Sequence, residues 1–137
     1  MITCTGKDGS IAEFDYEEID DWFDDDHTKK HFLIYPKGQN ETLEKFDFEV
    51  VDLTDEQVMV TMMHNHGSPL YTAKGIPEAM IIHLAEKLGK NVRSSSQLHP
   101  TLDPEFRELG ATKVWKRLVD QGLAKENTEN DYYYLIN

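Results

Sequence analysis

His64-Asn65-His66 follows an apolar run, Val58-Met59-Val60-Thr61-Met62-Met63. Imidazoles at i and i+2 fall on one side of a strand. They change charge near neutral pH, so they suit either a shared metal or removal of a proton from an attacking amine. A metal needs a third ligand, and no spacing in the chain fixes one; a polar strand end is the plainer reading. Ser94-Ser95-Ser96 offers three hydroxyls without the G-x-S-x-G elbow that activates a serine. Ser95 reads as a partner for a ligand amide or as an ordinary strand-to-loop exit. Cys4, the single cysteine, has no activating base near it and reads as a small strand residue. One cysteine also excludes an intrachain disulfide and a cysteine-based metal site. His27, His31, His83 and His99 are scattered and receive no role; His83, on an apolar helix, reads as a boundary residue.

The second chemical feature is the stretch Pro69-Leu70-Tyr71-Thr72-Ala73-Lys74-Gly75-Ile76-Pro77. It lies between the Val58–Met63 strand and a helix expected over Ile76–Lys90. A helix N-terminus behind a glycine-containing loop is suited to an anion, because its free N–H groups and positive dipole end face the ligand. Pro77 falls in the first turn, where proline is tolerated, and Gly89 is a C-cap.

The elements that must position these residues follow from periodicity. Ile2–Thr5 and Ile11–Phe14 predict a hairpin around Gly6-Lys7-Asp8-Gly9. A helix over 15–26 is expected, with Asp15 as N-cap, Glu18 completing a capping box, and Ile19, Trp22 and Phe23 on one face. His31–Tyr35, Phe46–Val51 and Val58–Met63 predict three strands in an antiparallel meander. Asn91–Ser95 predicts a strand, Phe106–Gln121 a helix, and Leu123–Lys125 with Tyr132–Ile136 two closing strands. Strand, helix and strand over 58–95 form a crossover, which makes the flanking strands parallel and the sheet mixed. The fold class is therefore α/β, a mixed β-sheet with flanking helices, in one domain of 137 residues.

The charge is uneven. Residues 1–26 hold ten acids against Lys7 alone, a net −9 out of the chain's −12. The acidic N-terminal region is set at 1–28 and the core at 29–137. An acidic chain does not bind nucleic acid or an anionic membrane surface nonspecifically. A basic protein or an amine is the partner class such a region would attract. No basic n-region with an apolar h-region opens the chain, and no apolar run has transmembrane length, so a cytoplasmic protein is expected.

On Pro69, Tyr71, Gly75 and Ile76, the chain resembles the GCN5-related N-acetyltransferase superfamily. That family carries a loop of the form P-x-Y-R-G-x-G-I-G between a strand and a helix. The following EAMIIHLAEKLGKNV looks like its helix and next strand. Ala111-Thr112-Lys113-Val114-Trp115-Lys116-Arg117-Leu118 resembles its A-x-x-L-Y-x-x-L segment, and Tyr132-Tyr133-Tyr134 suits its last strand. The resemblance spans residues 45–136. It implies the acyl-CoA N-acyltransferase fold and acetyl-CoA as cofactor. Gly67, Thr72, Ala73, Lys74, Gly75 and Ile76 would hold it, and N–H groups near Gly67 would polarise the thioester carbonyl. His64 or His66 would take the proton of an amine acceptor, and Ser95 would contact substrate. Lys74 and Lys87 would supply positive charge to a phosphate-rich ligand. Four positions depart from the family pattern. Thr72 stands at its loop arginine, Pro77 at its second loop glycine, Glu108 at its asparagine, and Trp115 at its general-acid tyrosine.

Two alternatives stand beside this reading. One is a non-catalytic acetyltransferase-like protein that acts as an interaction module through its acidic N-terminal region. The other is a winged-helix DNA binder built from residues 111–136. Glu126, Glu129 and Asp131 at the tip of its wing would repel phosphate.

Overall fold

The computed structural model describes residues 1–22, 28–41, 44–96 and 109–136, the side chains at 20–22 and 109 excepted. Its elements, in chain order, are β1 (Ile2–Thr5), β2 (Ile11–Trp22), β3 (Thr28–Pro36), β4 (Phe46–Asp52), β5 (Gln57–His64), α1 (Ile76–Leu88), β6 (Asn91–Ser94), α2 (Leu109–Asp120), β7 (Ala124–Asn127) and β8 (Tyr132–Leu135). The eight strands form one sheet in the order β1-β2-β3-β4-β5-β6-β8-β7. Neighbours are antiparallel except β5 and β6, which are parallel across the α1 crossover. The mixed α/β sheet expected from the hydrophobic pattern is therefore present, as are the three-strand meander and the parallel crossover.

Alternation explains the main strands. Phe32 and Ile34 of β3, Phe46, Phe48 and Val50 of β4, and Val58 and Val60 of β5 are buried in one cluster. Ile76, Met80, Ile81 and Leu84 of α1 complete it, recurring at helical spacing. The last turn of α1 closes on Gly89, whose left-handed backbone (φ 63°) returns its N–H to the Ala85 carbonyl. Val114, Trp115 and Leu118 of α2 extend the core to Tyr133 and Leu135 of β8. Trp115 stacks on Tyr133 with ring centroids 6.4 Å apart.

The helix expected over 15–26 is not formed. Residues 11–22 are one long strand, paired with β3 from Phe14↔Pro36 to Trp22↔Thr28. Tertiary pairing overrides the local capping signal. Phe14 is buried, Ala12 and Tyr16 pack against the core, and Ile19 is 49% exposed instead of docked. Acids of this strand find bases on neighbouring segments. Glu13 meets Lys37 at 2.9 Å, Glu17 meets Lys45 at 3.5 Å, and Glu18 meets Lys87 at 3.0 Å and Lys30 at 3.9 Å. Phe23 and Asp24-Asp25-Asp26, part of the same expectation, lie outside the described residues. So do Phe106 to Glu108 of the second expected helix, which is described from Leu109.

No helix among the described residues is long and apolar enough to cross a membrane.

Candidate ligand cleft

β5 and β6 pair only from Gln57↔Asn91 to Val60↔Ser94. Beyond Val60, β5 runs on to His64 with β4 on one edge and no partner on the other among the described residues. The Ser95 hydroxyl donates to the Val60 carbonyl at 2.6 Å and pins the point where the strands part. That bond is where the structure places Ser95, which is buried.

A cleft of about 690 Å³ lies beside this parting, between the loop after β5, the first turn of α1 and α2 from Gly110 to Arg117. Thr72, Ala73, Lys74 and Gly75 line it, as does His64. Gly67 and Ile76 do not. The Gly67 N–H donates to Asn65 Oδ1 at 2.8 Å, and the Ile76 side chain is fully buried in the core. Lys87 is also elsewhere. It sits in the last turn of α1, bonded to Glu18 at 3.0 Å and to the Tyr16 hydroxyl at 3.3 Å, and these contacts hold its amine above the usual range.

The loop is built from within. Ser68 O accepts the N–H of Tyr71 and of Thr72, and the Thr72 hydroxyl at 2.8 Å. Tyr71 is a buried anchor, packed on Phe14 and Phe46 and donating its hydroxyl to Glu44 O at 2.6 Å. Ala73 and Gly75 both take left-handed backbone, at φ 57° and 77°. The β1–β2 hairpin sits directly against them, with the Lys7 N–H donating to Ala73 O at 3.1 Å.

This hairpin brings Lys7 to the cleft, and α2 brings Arg117. Three cations, Lys7, Lys74 and Arg117, thus face one lining carboxylate, Glu78. Arg117 Nε meets Glu78 Oε1 at 2.6 Å, while Glu78 Oε2 is buried without a hydrogen-bond partner among the described residues. In a chain of net charge −12, this cleft carries a positive excess. Sequence reading missed Lys7 and Arg117 as site residues. Each lies far along the chain from the loop, and only the packing of the hairpin and of α2 brings them there. Cys4, in β1 of the hairpin, is a buried thiol pushed up to about 12, first by desolvation and then by the Glu78 charge. It is no nucleophile.

At the far end of β5 lies a polar network. Asp47 stands opposite His64 in the β4–β5 register. Its Oδ1 accepts from His31 Nε2 at 2.6 Å, and its Oδ2 accepts from His66 Nε2. The rings of His64 and His66 lie 4.2 Å apart, edge to face. The pair that the sequence singled out is thus brought together, joined by Asp47 and His31, which it did not single out. No group of three or more metal-type side chains converges on one point among the described residues. The contacts of this cluster are hydrogen bonds, which suit proton chemistry.

Comparison with protein-family models, with curated proteins and with solved structures gave no match.

Proposed function

We propose that the chain binds an acyl-CoA in the cleft beside the parting of β5 and β6, and that the acyl group is passed to an amine. The observation that carries this reading is the positive lining of the cleft. Lys7, Lys74 and Arg117 gather around a helix N-terminus in a strongly acidic protein, an arrangement suited to a phosphate-bearing ligand. The left-handed turn at Ala73 and Gly75 supports it, because such turns set successive N–H groups toward one anion. The strand order supports an acyl-CoA N-acyltransferase fold. A meander passes into one parallel crossover, and the neighbouring strand is completed by a final hairpin. An acyl chain running along the cleft from the cations would reach the end of β5, where His64 lines the wall. Direct attack of the amine on the thioester needs only a proton acceptor and a polarised carbonyl there.

Calorimetric titration with acetyl-CoA tests the proposal. Binding is expected, with much weaker binding of pantetheine, which lacks the phosphates. Absence of heat at millimolar acetyl-CoA defeats it.

The interaction-module alternative draws on the outer edge of β2. β1 pairs only with Ile11–Phe14, so the backbone from Asp15 onward has β3 on one side and no strand on the other among the described residues. An open edge can take up an extended segment. Glu13, Glu17 and Glu18 are already paired with lysines, so little of their charge is left for a basic partner. The winged-helix alternative requires a free wing, whereas β7–β8 joins the sheet through Arg93↔Tyr134.

A further inference from the structure

We infer that Asp47 is a positioning residue that fixes the His64–His66 pair as a proton acceptor at the end of β5, a role that rests on the acyl-transfer reading above. A carboxylate only accepts hydrogen bonds. With Oδ1 taken by His31 and Oδ2 by His66, both imidazoles present Nε2–H to Asp47. On the His66 ring this leaves Nδ1 as the nitrogen turned away from Asp47. The His31 Nδ1 faces Glu49 Oε2 at 3.8 Å. His66 lies against His64, and His64 lines the cleft. One carboxylate therefore sets the orientation of the ring that supports the cleft-lining imidazole.

The other charged and polar groups around the network already have partners. Glu49 faces Lys29 at 3.5 Å and takes the Thr61 hydroxyl at 3.1 Å. Asp47 itself has a side chain only 18% exposed, so water competes weakly for its two oxygens. His66 is not on a regular strand. It takes left-handed backbone (φ 57°), uncommon for a residue other than glycine, and that turn sends its ring back to Asp47.

In the transfer itself, the amine nitrogen bonds to the acyl carbon and the C–S bond breaks. The proton shed by the nitrogen moves to a ring nitrogen of the His64–His66 pair and then to the departing thiolate. Asp47 holds the His66 ring in place throughout.

Two measurements on the full chain test this. The first is carbethoxylation by diethyl pyrocarbonate, mapped by peptide mass spectrometry, with His83 as internal reference. His64 and His66 should react several-fold more slowly in Asp47→Asn than in the native chain, because an amide offers one acceptor for two imidazoles. Asp47→Glu should restore most of the rate. Equal rates in all three overturn the inference, and circular dichroism establishes that each variant is folded. The second is acetyl transfer from acetyl-CoA to a lysine-containing peptide. In Asp47→Asn, kcat should fall at least tenfold with the KM for acetyl-CoA unchanged. Unchanged kcat overturns the role. If the native chain transfers nothing while carbethoxylation responds as expected, the acyl-transfer reading fails and the positioning of the imidazoles by Asp47 stands.

Discussion

The carbonyl oxygen of Thr5 occupies the place where a side chain at Gly75 would begin, 2.2 Å from an ideal Cβ. The N-terminal hairpin is thus seated on the loop that the sequence marked as a ligand site. Gly75 also has φ 77°, a left-handed conformation that costs a residue with a Cβ about 1–2 kcal/mol.

Gly75→Ala should therefore destabilise the fold itself. The clash is with backbone, and the hairpin cannot easily retreat because Lys7 N–H is bonded to Ala73 O. Strain and clash together should exceed about 2 kcal/mol, which lowers the thermal midpoint by several degrees in a chain of this size. Thermal denaturation followed by circular dichroism measures it. An unchanged midpoint would mean that the hairpin is not seated on the loop. A Gly75 variant consequently does not isolate ligand binding.

Charge reversal of the two lysines does isolate it. Lys7 and Lys74 line the cleft from different segments, and neither is in an ion pair among the described residues. Lys7→Glu and Lys74→Glu should each weaken acetyl-CoA about tenfold, equivalent to ~1.4 kcal/mol, with little change in thermal midpoint. Calorimetry on the two variants and on pantetheine reads this out. The loss should be absent for pantetheine. An equal loss for both ligands would place the phosphates elsewhere.

Cys4 should be silent in the native chain. It is 1% exposed, and its thiol titrates at about 12. At pH 8 the thiolate fraction is then on the order of 10⁻⁴, and the thiolate is the reacting form. A disulfide reagent such as Ellman's should release no colour from the folded protein and one equivalent after denaturation. Rapid reaction in the folded state would show that the hairpin opens readily.

Much of this architecture was legible where burial imposes a period. Phe46-Asp47-Phe48-Glu49-Val50 alternates because one face meets α1, and Met80, Ile81 and Leu84 recur because they meet that face. The stretch 15–22 misled because its signals are shared. Asp15 and Glu18 fit a capping box, and Ile19 and Trp22 fit a helical face. Only Lys30, Lys45 and Lys87, brought to Glu17 and Glu18 by the fold, show where the acids belong. The site was legible in part for the same reason. Thr72 to Gly75 and His64, which line the cleft, lie close together along the chain. Lys7, Asp47, His31 and Arg117 join them only through sheet pairing and helix packing.

His83 makes the stability of the fold depend on pH. It lies on α1 with Nε2 2.8 Å from the Tyr16 hydroxyl, which also receives the Lys87 amine. Burial is the main cause holding its imidazole below the ordinary 6.5, and the N-terminal amine and Lys87 add to it, with Glu86 opposing. A depressed folded value means that the unfolded chain binds the proton more readily. The contribution is complete above 6.5, is lost as pH falls from there through the folded value, and is gone below it. Protonation also turns Nε2 from acceptor to donor, which removes the place for the Tyr16 proton. His83→Gln retains an acceptor and does not titrate. Between pH 8 and 5, the thermal midpoint of the native chain should fall more steeply than that of His83→Gln. Parallel curves would mean that His83 titrates alike in the folded and unfolded chains.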